Sequence, residues 1–282
     1  MYWSEVMGKN SSIEWTNHTF NPWWGCTKVS AACKHCYAEA WSKRVGSKVW
    51  GPKANRRFFG DTHWNQPKKW NEEARVSGHR ARVFCASMAD VFEARADLND
   101  ARERLWDLIG ETGYLDWLLL TKRPHLIAKY APWGQNWPNN VWVGTTTEDQ
   151  SSAEERLPYL SNIPARVRFI SAEPLIGPLS ISNWLGNSVN WVITGGESGP
   201  KARPSSPSWF RDLLIQCMEN DVPFHFKQWG DWAPGQGLNL PSARRKASMA
   251  ADGTVMLRIG KKAAGRELDG ETWDGLPRIE VA

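Results

Sequence analysis

No run of apolar residues in this chain approaches the roughly 18 that a membrane-spanning helix needs. The opening MYWSEVMGKNSS lacks the charged, apolar and cleavage regions of a secretory signal. A soluble, cytoplasmic protein with no membrane partner is therefore expected. Cysteine is scarce, at five residues, and odd in number, which argues against the paired framework of a disulfide-stapled secreted fold. No second CxxC follows the first, so the sequence does not complete a four-cysteine zinc site. Internal repeats and long low-complexity segments are also missing, which excludes solenoids. A content of 41% hydrophobic and 23% charged residues over 282 positions is instead that of a globular protein with a substantial core. Length suggests roughly two domains, although α/β barrels often run to about 250 residues as one unit.

What is present is unevenly placed. The formal net charge is +5, yet the stretch 43–82 alone holds eleven Lys and Arg against Asp61, Glu72 and Glu73, a local +8, which leaves −3 for the rest. Tryptophan is abundant, at 19 residues, and Trp41, Trp50, Trp64 and Trp70 lie in or beside this basic stretch. Aromatic faces between cations can stack on bases, so contact with DNA or a nucleotide is one expectation for 43–82. A solvated connector with a few core tryptophans is the other.

Three of the five cysteines, Cys26, Cys33 and Cys36, fall within eleven residues, in the context NPWWGCTKVSAACKHCYAEA. Zinc would need a fourth ligand, with His35 or His18 the available nitrogens. A thioredoxin-like reading of Cys33–Cys36 leaves Cys26 idle. The remaining alternative is a cubane iron–sulfur cluster on three thiolates, one iron being left open to a small molecule. Radical S-adenosylmethionine enzymes use that arrangement, commonly with an aromatic residue before the third cysteine, a place His35 fills. Their usual spacing puts three residues between the first two cysteines, whereas this chain has six.

Further along, β-branched or aromatic runs alternate with helical patterns, the sequence form of repeated βα units. The expected strands are 82–86, 117–121, 141–144, 167–171, 191–194 and 224–227, after a weaker first strand at Ile13–Thr16. Leu98, Arg102, Leu105 and Ile109 repeat at helical spacing, Ser151 and Glu154 sit as a capping box, and Trp209, Leu213 and Cys217 mark one face of a later helix. The order implies an α/β fold, a partial or nearly closed parallel (β/α) barrel, whose chemistry sits at the strands' C-terminal ends. There the chain places Ser87 and Asp90, Lys122 and Arg123, Thr145, Thr146 and Glu148, Glu173, Gly195, Gly196 and Glu197, and Lys227. These are candidates to bind cofactor or substrate; each would also serve as an ordinary cap or turn residue. Cys85, sharing parity with Ser87, is a candidate hydrogen-atom donor. The barrel is expected over 1–232 with the basic insertion at about 43–82, followed by a C-terminal extension, 233–282, with a hairpin around Asp252-Gly253.

The segments FNPWWGCTKVSAACKHCYAEA, SMADVF, LLLTKRP, SAEPL, TGGESGP, FKQWG and GKKAAGRELDGETWDGLP, in this order along nearly the whole chain, resemble the phage-encoded three-cysteine-motif family, which is radical-SAM-like and of DUF5131 type. The resemblance implies a radical-SAM barrel. It also implies Cys26, Cys33 and Cys36 as ligands of a 4Fe-4S cluster, S-adenosyl-L-methionine as cofactor, and an electron donor as partner. Since phages modify their own bases, it suggests that a 5′-deoxyadenosyl radical modifies or isomerises an aminoacylated thymine in phage DNA, in the host cytoplasm, with the enzyme a monomer. Two other readings stay open, a radical enzyme acting on a peptide or small metabolite, and a non-catalytic zinc-stabilised nucleic-acid-binding protein.

Overall fold

A computed structural model describes residues 8–11, 13–235 and 246–278. It contains two compact units, one formed by the chain up to Thr145 together with Tyr159–Arg168, the other by Thr146–Pro158 and the chain from Phe169 onward.

In the first unit, strands β1 (His18–Thr19), β2 (Ala81–Cys85), β3 (Leu115–Thr121) and β4 (Val141–Thr146) lie parallel in that order. Gly8–Lys9 adds an antiparallel edge to β1. β3 and β4 are buried along almost their whole lengths, as expected of parallel strands covered on both faces. The first strand lies further along than Ile13–Thr16. Those residues form a turn closed by the Thr16 N–H on the Ile13 carbonyl (3.1 Å), and the ladder to β2 begins only where the Asn17 N–H reaches the Arg82 carbonyl (3.0 Å). Helices α1 (Tyr37–Arg44), α2 (Gln66–Ser77) and α3 (Asn99–Glu111) complete the unit. On α3 the expected stripe is buried: Leu105 and Ile109 pack as core, Leu98 precedes them, and Arg102 folds back to donate to the carbonyls of Val91 (2.8 Å) and Glu93 (2.9 Å).

The second unit carries parallel strands β5 (Val167–Ala172, from Phe169 on), β6 (Trp191–Gly195) and β7 (Phe224–Gln228). All six later strands anticipated from sequence are present. Helix α4 (Gln150–Ser161) is capped two residues earlier than expected. The reciprocal pair is Asp149 and Ser152, the Ser152 N–H on the Asp149 carboxylate (2.9 Å) and the Asp149 N–H on the Ser152 hydroxyl (3.1 Å), because Asp149 is the last residue outside the helix. Helix α5 (Pro207–Glu219) buries Phe210, Leu213 and Cys217, with Trp209 half-buried beside them. Beyond Gln228, β8 (Trp232–Pro234), β9 (Ala247–Met249) and β10 (Val255–Arg258) form an antiparallel sheet in the order β8–β10–β9. β9 and β10 are the expected hairpin, with Gly253 at φ +82° supplying the left-handed turn.

Candidate functional site

The cysteine loop is the segment between β1 and α1. It leaves β1 through Phe20 and Asn21, whose side chain is tied to the exit of β2: its carbonyl oxygen accepts the Met88 N–H (2.7 Å) and its amide donates to the Ser87 hydroxyl (3.0 Å). Trp23–Trp24 pairs with Arg57–Phe58, and Gly25 then turns at φ +116° where a Cβ would stand 2.3 Å from the Val49 carbonyl oxygen. Only glycine fits that close approach. Cys33 rides on a short 3₁₀ turn, Ala31–His35, and Cys36 is the residue that opens α1. The Tyr37 hydroxyl donates to the Ser87 carbonyl (3.0 Å), a second tether to the end of β2.

All three loop thiols are half-buried, whereas Cys85 and Cys217 are buried. Burial pushes Cys26 up to about 12, with the Asp90 carboxylate adding to the rise and the Arg123 guanidinium opposing it. Burial also raises Cys33, but the Lys122 ammonium and hydrogen bonds from Val29 and Ser30 outweigh it, so this thiol ends below its ordinary value. Cys36 ends above its ordinary value through burial, against the N–H groups of Glu39 and Ala38 and the field of Lys122. The dipeptide Lys122–Arg123, just past β3, thus acts on all three sulfurs, Arg123 by contact with Cys26 and Lys122 through its charge on Cys33 and Cys36.

Two buried guanidinium groups grip the loop. Arg123 donates to the Cys26 sulfur (3.8 Å), the Thr27 carbonyl (2.7 Å) and Asp90 (2.6 Å). Arg56 donates to the Thr27 hydroxyl (3.0 Å) and to the carbonyls of Val49, Gly51 and Ala54, and pairs with Glu93 at 2.7 Å. Arg56 and Glu93 were not singled out from sequence; Arg56 is one of eleven cations in the basic stretch, and nothing in its neighbours marks it as buried. Asp90 and Arg123 were, and the structure brings them together with Cys26. Cys85 is fully buried, and burial pushes its thiol strongly up. Ser87 is buried at the tether, and the Thr145 hydroxyl is spent on the Thr121 carbonyl (2.9 Å).

As a donor set, three half-buried thiols on one loop with fixed cations and N–H groups around them match an iron–sulfur cluster, whose thiolates need such compensation. Among the described residues no three His, Cys, Asp or Glu side chains crowd together as ligands of one metal ion would. His18, offered as a zinc ligand, lies on β1 stacked against Trp70 (4.5 Å between ring centres), with Nδ1 accepting the Asn10 N–H.

In the second unit the expected strand-end residues fall into different situations. Glu148 is buried against Arg156 (2.7 Å). Glu197 is buried too, held by Arg203 through Nε (2.8 Å) and Nη2 (2.7 Å). Gly195 and Gly196 differ: a Cβ on Gly196 would lie 1.9 Å from the Trp229 carbonyl oxygen, while one on Gly195 would meet Gln228 and Glu173 at 3.3 and 3.5 Å. Gly196 is thus packed against the Trp229 backbone. Glu173 and Lys227 form a half-buried pair (2.7 and 3.0 Å), with the Gln228 amide also donating to Glu173 (3.2 Å).

Of the basic stretch, Trp64 and Trp70 are core residues, and Trp41 and Trp50 are half-buried against the Trp24–Val49–Met88 cluster. Arg44, Lys48, Lys53 and Lys69 are exposed.

Among solved structures, spore photoproduct lyase complexed with dinucleoside spore photoproduct aligns with a TM-score of 0.50 and 13% identity, over 94% of this chain and 74% of that one. A mutant of the lyase with bound AdoMet and dinucleoside spore photoproduct gives 0.48 and 14%, over 92% and 72%. The first of these likenesses establishes the fold class as an α/β partial parallel barrel, shared with that lyase. Curated proteins give no match. The family model described as protein of unknown function (DUF5131) matches residues 10–277, and the chain belongs to that family.

Proposed function

We propose that this protein is a radical S-adenosylmethionine enzyme in which Cys26, Cys33 and Cys36 hold a 4Fe-4S cluster. The observation that carries the reading is the trio of half-buried thiols on one loop, with Lys122 and Arg123 beside them, in a fold of the radical-SAM class. When bound, the cluster and S-adenosyl-L-methionine supply a 5′-deoxyadenosyl radical, which suits breaking an unactivated C–H bond.

The chain's own residues divide the remaining work. Asn21 and Tyr37 fix the cysteine loop to the end of β2 through Ser87 and Met88. Lys122 favours the thiolate of Cys33. The buried Cys85 thiol keeps its proton, the state a hydrogen-atom donor needs. In the second unit, Glu173 and Lys227 are paired with each other, an arrangement whose two charges match those of an amino-acid group on a substrate.

For the substrate, the favoured reading is a substituted, aminoacylated thymine in DNA, which would have to leave the base stack to be reached. It is supported by the exposed cations of the basic stretch and by the dinucleoside carried in the lyase complex of similar fold. Protein purified anaerobically and reconstituted with iron and sulfide is expected to bind iron. It is also expected to release 5′-deoxyadenosine, and to do so faster with DNA carrying the substituted base, whose mass or chromatographic retention then changes. Equal cleavage with DNA, nucleoside and peptide, and no altered base, would remove the DNA reading. A cluster-loaded protein that never cleaves the cofactor would remove the enzyme reading altogether.

A further inference from the structure

Resting on that cluster assignment, we infer that Arg123 is a positioning residue that raises the reduction potential of the cluster through the Cys26 sulfur, and that Asp90 holds it in place to do so. The guanidinium is fixed at three points: one terminal nitrogen reaches Asp90 (2.6 Å) and the Cys26 sulfur (3.8 Å), and the other reaches the Thr27 carbonyl (2.7 Å). Asp90 is itself fully engaged. One carboxylate oxygen accepts the Thr121 hydroxyl (2.7 Å) and the Phe92 N–H (3.0 Å), while the other accepts the Lys122 N–H (3.2 Å) besides Arg123. Arg123 and Asp90 are 6% and 5% exposed, so the cation acts on the sulfur through little water.

Reduction adds one electron to the cluster and breaks no bond. The added negative charge is stabilised by a fixed N–H donor and positive charge at a ligand sulfur, one of the levers by which proteins set such potentials. Asp90 offsets part of the charge and sets the direction of the fork.

The role is separable from simply fastening the loop, because the loop has other fastenings. Arg56 donates to the Thr27 hydroxyl (3.0 Å) and the Gly51 N–H to the Cys26 carbonyl (2.9 Å), and neither involves Arg123. A variant lacking the guanidinium should therefore still load a cluster, with its potential changed.

The test compares wild type, Arg123→Met and Arg123→Lys after anaerobic reconstitution, without S-adenosylmethionine, reading iron per chain and the midpoint of a titration followed by electron paramagnetic resonance. We expect equal iron in all three. In Arg123→Met the reduction equilibrium should fall about tenfold, about 59 mV for one electron, and Arg123→Lys should recover part of that. Equal midpoints at full loading would overturn the inference, and so would loss of iron from either variant, which would make Arg123 a strap. Cys26→Ala serves as the separate control. If it keeps wild-type iron content and midpoint, the cluster assignment itself fails.

Discussion

The five cysteines occupy distinct electrostatic surroundings, and alkylation of the metal-free protein reads them one by one. Cys33, held below its ordinary value by Lys122 and neighbouring hydrogen-bond donors against burial, carries more thiolate at neutral pH than a free cysteine does, and the thiolate is the nucleophile. Cys26 at about 12 is almost wholly protonated there. Iodoacetamide at pH 7 should accordingly label Cys33 first. Raising the pH to 9 should speed Cys26 by close to tenfold per unit, and the rate at Cys33, held below its ordinary value, should level off at a lower pH than the rate at Cys26. Cys85 and Cys217, buried and raised, should react only on unfolding. Peptide mass spectrometry resolves the sites, and equal rates at Cys26 and Cys33 would contradict the electrostatics described. The split was half visible in the sequence: clustering separated three cysteines from two, but which cations faced which sulfur depends on Lys122 and Arg123, some ninety residues further along the chain.

At the scale of elements, the Gly-Gly-Glu turn after β6 gives the sharpest test. Gly196→Ala would drive a Cβ to within 1.9 Å of the Trp229 carbonyl oxygen, backbone that cannot swing away, whereas Gly195→Ala meets its neighbours at 3.3 Å. We expect Gly196→Ala to cost about 3 kcal/mol or more and Gly195→Ala about 1 kcal/mol, measured by urea denaturation. Similar small losses for both would show that the turn relaxes freely. The elements themselves were legible because parallel strands here are largely apolar runs such as WLLLT within Leu115–Thr121, with helical periodicity between them. What could not be read were pairings between distant residues. The sequence offered the Gly pair as a contact for cofactor or substrate and gave no sign that the Trp229 backbone lies against Gly196. It put a weaker first strand at Ile13–Thr16 because Ile13, Trp15 and Thr16 are β-branched or aromatic, although hydrogen bonding to β2 starts at Asn17. It also read Arg56 as part of a basic patch, although its partner Glu93 buries it. That pair offers its own prediction: Glu93→Ala leaves a buried guanidinium unpaired and should cost about 3–5 kcal/mol.

Over the whole molecule, the positive charge concentrated in 43–82 is thinned by the fold before it meets solvent. Arg56 is buried with Glu93, Lys68 pairs with Glu111, Arg75 with Glu72 and Arg80 with Asp116, and Arg57 lies over the Trp24 and Phe59 rings. Arg44, Lys48, Lys53 and Lys69 remain exposed, so DNA held by this stretch would be held through a few phosphates rather than through the full local charge. Each phosphate neutralised releases counterion and adds about 0.9 to the slope of log affinity against log salt. The paired substitution Lys48→Gln and Lys53→Gln should therefore weaken duplex binding and lower that slope by about 2, measured by fluorescence anisotropy from low to high salt. It should leave iron loading unchanged, since neither residue touches the cysteine loop's two arginine grips. Binding that is insensitive to salt, or a slope unmoved by the double substitution, would mean that the exposed cations are a solvated face and that any nucleic acid is recognised elsewhere.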